Sequence, residues 1–212
     1  MLLLLLLLLL LFPVGEWAPM IPGAGSSAVN RAVRIAWFQA RRTLEIVKAP
    51  LWRAAWNEVQ RRSGGPECFP ACDGFLDSAT DIYRHLQSEL LGAEHTGHLE
   101  DLCDEELWPV VRATGTDFNR VRRQFGAENC TIHWTSTEAF VCSLSPPEAE
   151  KDEGPMSVIA GARIFSVMSM SFAPEQVRYT IDDLIFKSPW DAKTGVRQWK
   201  VVHIGGPTAP VE

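Results

Sequence analysis

The spacing of apolar residues changes from a helical period to a strand period near Cys130. Downstream of that point, apolar residues alternate in two long sets. The first contains Ile132, Trp134, Phe140, Cys142 and Leu144, and the second contains Val158, Ala160, Ala162, Ile164, Met168, Met170 and Phe172. A chain with its helices first and its strands afterwards is largely restricted to an α+β fold, in which helices pack on one face of an antiparallel sheet.

Two further β-rich runs, residues 176–187 and 197–204, end the folded part of the chain. The segment between them contains Ser188, Pro189 and Gly195, which are typical of a hairpin loop. A polar loop at 145–154 separates the two earlier strands. The sequence therefore predicts a curved antiparallel sheet of about four strands.

Two or three helices are predicted before the sheet. Asp73 is placed to cap a helix that stops at Gly92 and has the apolar stripe Phe75, Leu76, Ala79, Ile82, Tyr83, Leu86 and Leu90. A second helical stretch follows at Leu99–Leu107, and Pro109 begins one further turn. Acidic residues 100–106 indicate a solvated face, and residues 119–123 form a small basic cluster in a predicted connecting segment.

A basic arm at residues 27–62 precedes these helices. Its apolar residues recur at steps of three and four: Val29, Val33, Trp37, Ala40, Leu44 and Val47. Residues 1–62 carry a net charge of +5, which leaves −11 for the rest of a chain whose total is −6. Basic residues beside tryptophan are typical of an interfacial membrane helix, but a helix docked on protein or rRNA uses the same residues. The candidate contact residues are Arg31, Arg34, Trp37, Arg41, Arg42, Lys48, Trp52 and Arg53.

Residues 1–26 begin with ten leucines and Phe12, a run too short for a transmembrane helix, which needs about 20 residues. The run is compatible with a secretory signal, for which Asn129 would be a glycosylation acceptor, or with a mitochondrial leader or a membrane-dipping segment. The basic amphipathic helix that follows favours a mitochondrial address. The predicted divisions are the leader at 1–26, the arm and linker at 27–66, and a conical α+β domain at 67–212.

Three segments carry a family resemblance: residues 75–87, the Leu-x-x-Leu-Cys pattern at 99–103, and the terminal strands with Trp199. They resemble the membrane-associated domain shared by the import-motor anchoring subunit of the mitochondrial inner-membrane translocase and a large-subunit mitoribosomal protein. That domain belongs to the nuclear-transport-factor-like conical superfamily. The resemblance covers residues 73–205 and implies a cone-shaped domain with the basic arm outside it.

The resemblance implies a non-catalytic docking subunit of a large assembly on the matrix face of the mitochondrial inner membrane. A large-ribosomal-subunit protein that tethers to the membrane is expected first, with the arm contacting rRNA or anionic lipid, cardiolipin included. The alternatives are an accessory subunit of a respiratory or ATP-synthase complex, a protein-import motor component and, last, a small isomerase- or dehydratase-like enzyme. Other subunits of the assembly are the expected partners, and no small-molecule substrate or cofactor is expected.

Two chemical sites were considered. A zinc site from Cys68, Cys72, His95 and His98 is disfavoured, because a 22-residue helix would separate its halves by about 33 Å. The scattered, odd set of five cysteines favours free thiols. An enzyme would draw on Tyr83, Tyr179, Asp182, Asp183 and His133. Alternation places Asp182 and Asp183 on opposite sheet faces, and both are expected to meet solvent at a strand end.

The buried core is predicted to include Trp199, Trp134, Phe186, Phe140, Leu86, Ile82 and Phe75.

Overall fold

The computed structural model describes residues 28–91, 99–124, 131–148, 156–171, 173–191, 193–196 and 198–206. Its helices are α1 (Ala28–Arg62), α2 (Cys72–Leu90), α3 (Leu99–Leu102) and α4 (Leu107–Gln124). Its strands are β1 (Ile132–Glu148), β2 (Ser157–Met170), β3 (Ala173–Asp191), β4 (Gly195–Val196) and β5 (Lys200–Gly205). The predicted α+β class is confirmed. None of the helices in the described ranges is both long enough and apolar enough to cross a membrane.

The sheet is antiparallel and follows the chain order from β1 to β3. β2 lies between β1 and β3, while β5 and the short β4 pair with β3. The loop predicted to start at Ser188 begins later, because β3 continues through Asp191. There the backbone N–H of Trp190 donates to the Met156 carbonyl at 2.7 Å, and Trp190 also pairs with Val196. The first strand of the terminal hairpin therefore extends to Asp191, past the point at which Ser188 and Pro189 predicted the loop to start.

Strand β2 divides the core into two layers. Its even-numbered residues from Val158 to Ile164 are buried against α2 in the main core, as the sequence predicted. Its odd-numbered residues point to the other face, where Phe165 joins Phe38 of α1 and Ile181 of β3 in a second cluster. Residue Phe172 of the predicted alternation lies outside the described residues.

Strand β1 does not keep the single parity that the sequence predicted. Its register with β2 shifts between Trp134 and Ser136, and again between Val141 and Ser143. Each β-bulge adds one residue and reverses the faces of the residues that follow. Trp134, Val141 and Leu144 therefore pack on the main core, whereas Phe140 packs in the second cluster.

The prediction that the basic arm lies outside the domain is wrong. The amino-terminal half of α1 packs on the sheet through Phe38, whose ring lies 5.5 Å from that of Phe165. The other half inserts Trp56, fully buried, between Phe69 and Phe75 in the main core. The 35 residues of α1 continue through Pro50 and contribute to both core layers.

Helices α2 and α4 also differ in detail from the expectation. α2 begins at Cys72, so Asp73 lies in its first turn, and the N-cap position is Ala71. The predicted connecting segment at 119–123 is part of α4, which runs for 18 residues. Gly115 lets α4 approach α2 closely, because a Cβ atom there would collide with the backbone carbonyl of Glu89.

Three of the seven predicted core residues, Phe75, Leu86 and Phe186, are buried. Ile82, Trp134 and Trp199 are partly buried and pack against the main core, and Phe140 is partly buried in the second cluster. Trp199 packs on Phe75 at a ring distance of 5.4 Å, and its buried Nε1 has no hydrogen-bond partner among the described residues.

Candidate docking site on the amino-terminal helix

A buried ion cluster fixes α1 to the sheet. The guanidinium of Arg163 donates to both carboxylate oxygens of Asp183, at 2.7 and 2.8 Å, and to Glu45 of α1 at 2.8 Å. All three side chains are buried. Burial alone disfavours the charged guanidinium, but the bonds to Asp183 outweigh this effect and raise the pKa of Arg163. Arg163 therefore keeps its charge, and its bonds join α1, β2 and β3.

Two more cations of α1 border this cluster. Nζ of Lys48 lies 3.7 Å from the Glu45 carboxylate. Burial and the nearby charge of Arg163 lower the pKa of Arg41, whose buried Nε has no hydrogen-bond partner in the part of the chain that the structure describes. Together with Arg163, these cations compensate the charges of Glu45 and Asp183, so each buried charge has one of opposite sign nearby.

Two other predicted contact residues also bind within the chain. Arg42 donates to both carboxylate oxygens of Glu138 on β1, at 2.6 and 2.7 Å. Arg53 donates to both oxygens of Asp73 on α2, at 2.6 and 3.2 Å. Each is a two-pronged guanidinium–carboxylate bond, a geometry that holds arginine strongly. Arg42 and Arg53 therefore hold α1 against its own domain.

The remaining predicted contact residues are divided between the core and the surface. Trp37 packs partly buried against the second cluster, and Trp52 does so against the main core. Arg34 is exposed, and the side chain of Arg31 lies outside the described part of the structure. The structure thus places most of the predicted phosphate-binding residues against protein.

The side of α1 that faces away from the sheet carries an apolar stripe. We define the outer stripe as Val33, Ala36, Ala40, Leu44, Val47, Leu51 and Ala54. Its four large side chains are exposed, with 56% of Val33, 36% of Leu44, 68% of Val47 and 73% of Leu51 accessible. Ala36 and Ala54 are exposed as well.

All charged residues between positions 32 and 57 lie away from the outer stripe. At 100° per residue, Arg34, Arg41, Arg42, Glu45, Lys48 and Arg53 fall within an arc of about 140° that also contains Phe38 and Trp56. The outer stripe falls within an arc of about 80° on the opposite side. α1 thus turns most of its charged side chains towards the side that packs on its own domain, with Arg34 and Arg53 exposed, and its apolar stripe towards solvent. The sequence pattern already shows that the cations share a face with Phe38 and Trp56, but these cations were predicted to contact rRNA or anionic lipid.

The groups available to an enzyme are separated by the sheet. Tyr83 donates to Asp182 at 2.6 Å and lies within hydrogen-bond distance of Thr180 and Ser166. Burial raises the pKa of Asp182 and, together with Asp182, that of Tyr83. Asp183 lies on the opposite face with Arg163, as alternation predicted. The expectation that both carboxylates meet solvent is wrong for Asp183, which is fully buried, and Asp182 is partly buried.

The other two groups considered for catalysis lie apart from Tyr83. Tyr179 packs its ring 5.4 Å from Phe38 on the α1 side of the sheet. His133 is exposed near the start of β1. Only Tyr83 and Asp182 of the proposed set are therefore in contact, and their bond joins α2 to β3.

Cys68, Cys72, Cys103 and Cys142 are free thiols. Burial, with a smaller effect of nearby carboxylates, raises the pKa of Cys142 to about 12 and that of Cys103 to about 11. His95 and His98, considered as zinc ligands, lie outside the described residues. Among the residues that the structure does describe, no three His, Cys, Asp or Glu side chains are placed to hold a metal ion.

The described surface also has a shallow cleft of about 490 Å³ beside α4. Trp108, Arg112 and Thr116 line it with Glu100 and Asp117, so its walls carry both signs of charge. A smaller cleft of about 320 Å³ adjoins it at Thr116 and is lined by Arg120 and Arg123. The mixed charge gives the larger cleft no evident preference for one ligand class.

No protein-family model matches the chain, and no curated protein matches it. Among solved structures, the intermembrane-space region of the chloroplast protein ARC6 is similar over 61% of this chain and 94% of its own length. The sequence identity is 16% and the TM-score is 0.33. This similarity is too low to support a functional inference.

Proposed function

We propose that the chain is a non-catalytic docking subunit of a large assembly at the mitochondrial inner membrane, and that α1 is its docking element. The observation that carries this proposal is the outer stripe of α1. Val47 and Leu51 are exposed on the same helix face, and contiguous exposed apolar surface marks interaction sites. On the charged half of the helix, Arg42 and Glu45 are bonded to the sheet and Arg53 to α2.

The resemblance of residues 73–205 to the membrane-associated mitochondrial domain supports a large-ribosomal-subunit protein on the matrix face. In that setting the domain is a rigid module that connects the ribosome to the inner membrane. Arg34 and the basic face of α4, with Arg112, Arg120 and Arg123, provide exposed cations for rRNA or anionic lipid.

A second candidate, an accessory subunit of a respiratory or ATP-synthase complex, is favoured by a separate observation. Arg42 and Arg53 are bonded to Glu138 and Asp73, so α1 offers phosphate fewer cations than its sequence suggests. A subunit held by apolar protein contacts does not need those cations. In this alternative the domain is held by protein and lipid and has no rRNA contact.

Sedimentation separates the two candidates. Mitochondria would be solubilised gently, divided into RNase-treated and untreated samples, and fractionated on gradients at low and high salt. A ribosomal protein is expected to sediment with the large subunit and to leave it after RNase treatment or at high salt, because phosphate contacts weaken as salt rises. Quantitative mass spectrometry of this chain across the gradient provides the readout.

Sedimentation with a respiratory complex, unchanged by RNase, would exclude the ribosomal assignment and support the second candidate. Recovery of the chain in microsomes with a glycan on Asn129 would exclude both. A matched control is a known matrix enzyme, whose position should not respond to RNase.

A further inference from the structure

Basic residues after α1 are concentrated in α4. Four of the twelve basic residues that follow position 62 lie in this helix, and Asp117 is its single acidic residue. Residues 63–212 as a whole carry a net charge of −11. A cationic helix on an acidic body attracts a polyanion to one place while the rest of the surface repels it. The charge distribution therefore points to α4 as the place where a phosphate-bearing partner would bind.

The cations of α4 share one side of the helix. At 100° per residue, Arg112, Arg120 and Arg123 fall within an arc of about 80°. All three are exposed, and Thr116 and Asn119 lie on the same side. The arginines extend about 16 Å along the helix axis, a length over which a nucleic acid duplex presents about ten phosphates.

These arginines are available to a ligand. Neither Arg112 nor Arg123 has a carboxylate partner within the described ranges. Arg120 pairs with Asp117 at 3.0 Å, but 72% and 67% of the two side chains are accessible, and an ion pair this exposed is weak. By contrast, Arg42 of α1 is held by a two-pronged bond within the domain.

The smaller cleft beside α4 has the side chains that a sugar–phosphate backbone needs. Its described lining is Thr116, Asn119, Arg120 and Arg123, without an acidic side chain. The acidic residues of this surface line the larger cleft instead. Guanidinium groups bind phosphate oxygens, while hydroxyl and amide groups form hydrogen bonds with phosphates and with ribose hydroxyls. This combination fits the backbone of RNA.

The apolar residues of α4 disfavour a membrane as the partner of this side. Val110 and Val121 are 60% and 48% exposed, and they lie about 130° around the helix from the centre of the arginine arc. An interfacial membrane helix places its cations beside the apolar residues that it inserts into lipid. A membrane in contact with Arg123 could not take up these two valines.

The same side of α4 favours a base-paired RNA over a single strand. Proteins that bind single strands stack the bases on aromatic side chains. Trp108 is the single aromatic residue on this side of the helix, and it is partly buried against the main core. The available contacts are therefore those to phosphate and ribose, which a duplex presents without unpaired bases.

We propose that the basic side of α4, centred on Arg120 and Arg123, binds the sugar–phosphate backbone of a base-paired RNA segment. The contact does not depend on base sequence. This inference rests on the ribosomal form of the proposed function, and it names the element and the RNA structure that would form the contact.

Binding of a fluorescent RNA hairpin with a stem of about 16 base pairs tests this contact. The double substitution Arg120→Gln and Arg123→Gln in the full-length chain is expected to weaken binding about tenfold or more at about 0.1 M salt. It should also reduce the slope of log affinity against log salt by about 2, because two phosphate contacts are lost. Fluorescence anisotropy at several salt concentrations provides both values.

The matched control is Arg61→Gln with Arg62→Gln. Both of these arginines are exposed, and the double substitution changes the net charge by the same amount. Its affinity and salt slope should equal those of the natural chain. Both double variants should unfold at the temperature of the natural chain, so a loss of binding reports the contact and not the fold.

Four results would overturn the assignment. Two are an equal loss in the two double variants and an equal affinity for an unpaired RNA strand of the same length. The third is an equal affinity for polyglutamate of the same charge, which would show that any polyanion binds. The fourth is binding to cardiolipin vesicles that is lost in the α4 variant while its affinity for the hairpin is unchanged.

Failure of the broader proposal has a different signature. A chain that stays with the large ribosomal subunit at every salt concentration after Arg120 and Arg123 are replaced would retain the ribosomal assignment and lose this contact. A chain that is absent from the ribosomal fractions but binds the hairpin through α4 would retain the RNA contact and lose the assigned assembly.

Discussion

Arg163 joins two carboxylates that come from different parts of the fold, Glu45 of α1 and Asp183 of β3. Their positions differ from that of Arg163 by 118 and 20 residues. Because all three groups are buried, removing one leaves the others without compensation in a medium that disfavours charge. Removing any one of the three side chains is therefore expected to lower the stability of the fold by more than the loss of its hydrogen bonds alone.

The substitution Arg163→Met is expected to destabilise the fold by about 3–5 kcal/mol, since it leaves Glu45 and Asp183 buried without their shared cation. Urea denaturation followed by tryptophan fluorescence would measure the loss. The matched control is Arg53→Ala, because Arg53 and Asp73 form a two-pronged pair that is exposed on both sides. Exposed pairs contribute at most about 1 kcal/mol, so an equal loss in the two variants would contradict the buried cluster.

Asp182 predicts a pH dependence. Its pKa is raised above the ordinary value of 3.8, chiefly by burial. As pH rises through 3.8, the carboxyl ionises in the unfolded chain while it is still protonated in the folded chain. Ionisation lowers the free energy of the unfolded state, so the free energy of unfolding falls. Asp182→Asn lacks this contribution. The unfolding free energy of the variant minus that of the natural chain should therefore increase as pH rises from about 4 towards 7.

Denaturation curves at several pH values would give this difference, and Asp81→Asn, at an exposed position on α2, serves as the control. A difference that stays constant with pH, or falls, would show that Asp182 is ionised as easily in the fold as in the unfolded chain.

Alternation along β3 was sufficient to place Asp182 and Asp183 on opposite faces. It could not show that both faces are covered. One face is covered by α1, and the sequence does not reveal this. Until the buried carboxylates Glu45 and Asp183 are known, the cations of α1 fit a solvent-facing side of the helix as well as a side that packs on the sheet. The predicted contact residues lie on α1, but most of their side chains pack on the chain's own domain.

At the level of secondary-structure elements, α2 and α4 are held together at Gly115. Gly115→Ala is expected to destabilise the protein by about 1–3 kcal/mol, because the added methyl would collide with the Glu89 carbonyl, a backbone atom that cannot rotate away. Thermal unfolding followed by circular dichroism would detect the change.

The chain offers a matched control on α2. Gly74 is exposed, and no atom of the described residues lies within 4 Å of an added Cβ, so Gly74→Ala should be neutral or stabilising, by up to about 1 kcal/mol. Equal effects at the two glycines would mean that Gly115 is not at a close helix contact.

The elements that the sequence predicted best are those with an unbroken period. The apolar stripe of α2 and the even-numbered residues of β2 face the core as expected. The sequence predicted that the apolar residues of β1 lie on one face. A β-bulge changes only the parity of the apolar residues after it, and in a sequence such a change looks like an apolar residue at an exposed position. The prediction gave only one turn after Pro109, whereas α4 continues to Gln124 and places Gly115 against α2.

At the scale of the whole molecule, α1 belongs to the folded body. Trp56, Phe38 and Glu45 are buried, and Trp56 also donates from Nε1 to the Pro70 carbonyl at 2.8 Å. A chain restricted to residues 67–212 is therefore expected to lack a cooperative unfolding transition, whereas the full-length chain should have one. Thermal unfolding curves and the dispersion of amide NMR signals, measured for both chains, would show whether the shorter chain folds cooperatively. A cooperative transition in the shorter chain would restore the division between arm and domain.

The contact between Glu45 and Arg163 also joins an early segment of the chain to a late one, so it forms only near the end of synthesis. A ribosome that makes this chain completes α1 first and reaches Asp183 only about 120 residues later, roughly 6–24 s at ordinary synthesis rates. During that interval α1 has no sheet to pack on, so Phe38, Trp56 and the outer stripe are all uncovered together. The nascent chain is consequently most prone to aggregate before its last strands emerge, and a chaperone that binds apolar helices would find its target in α1.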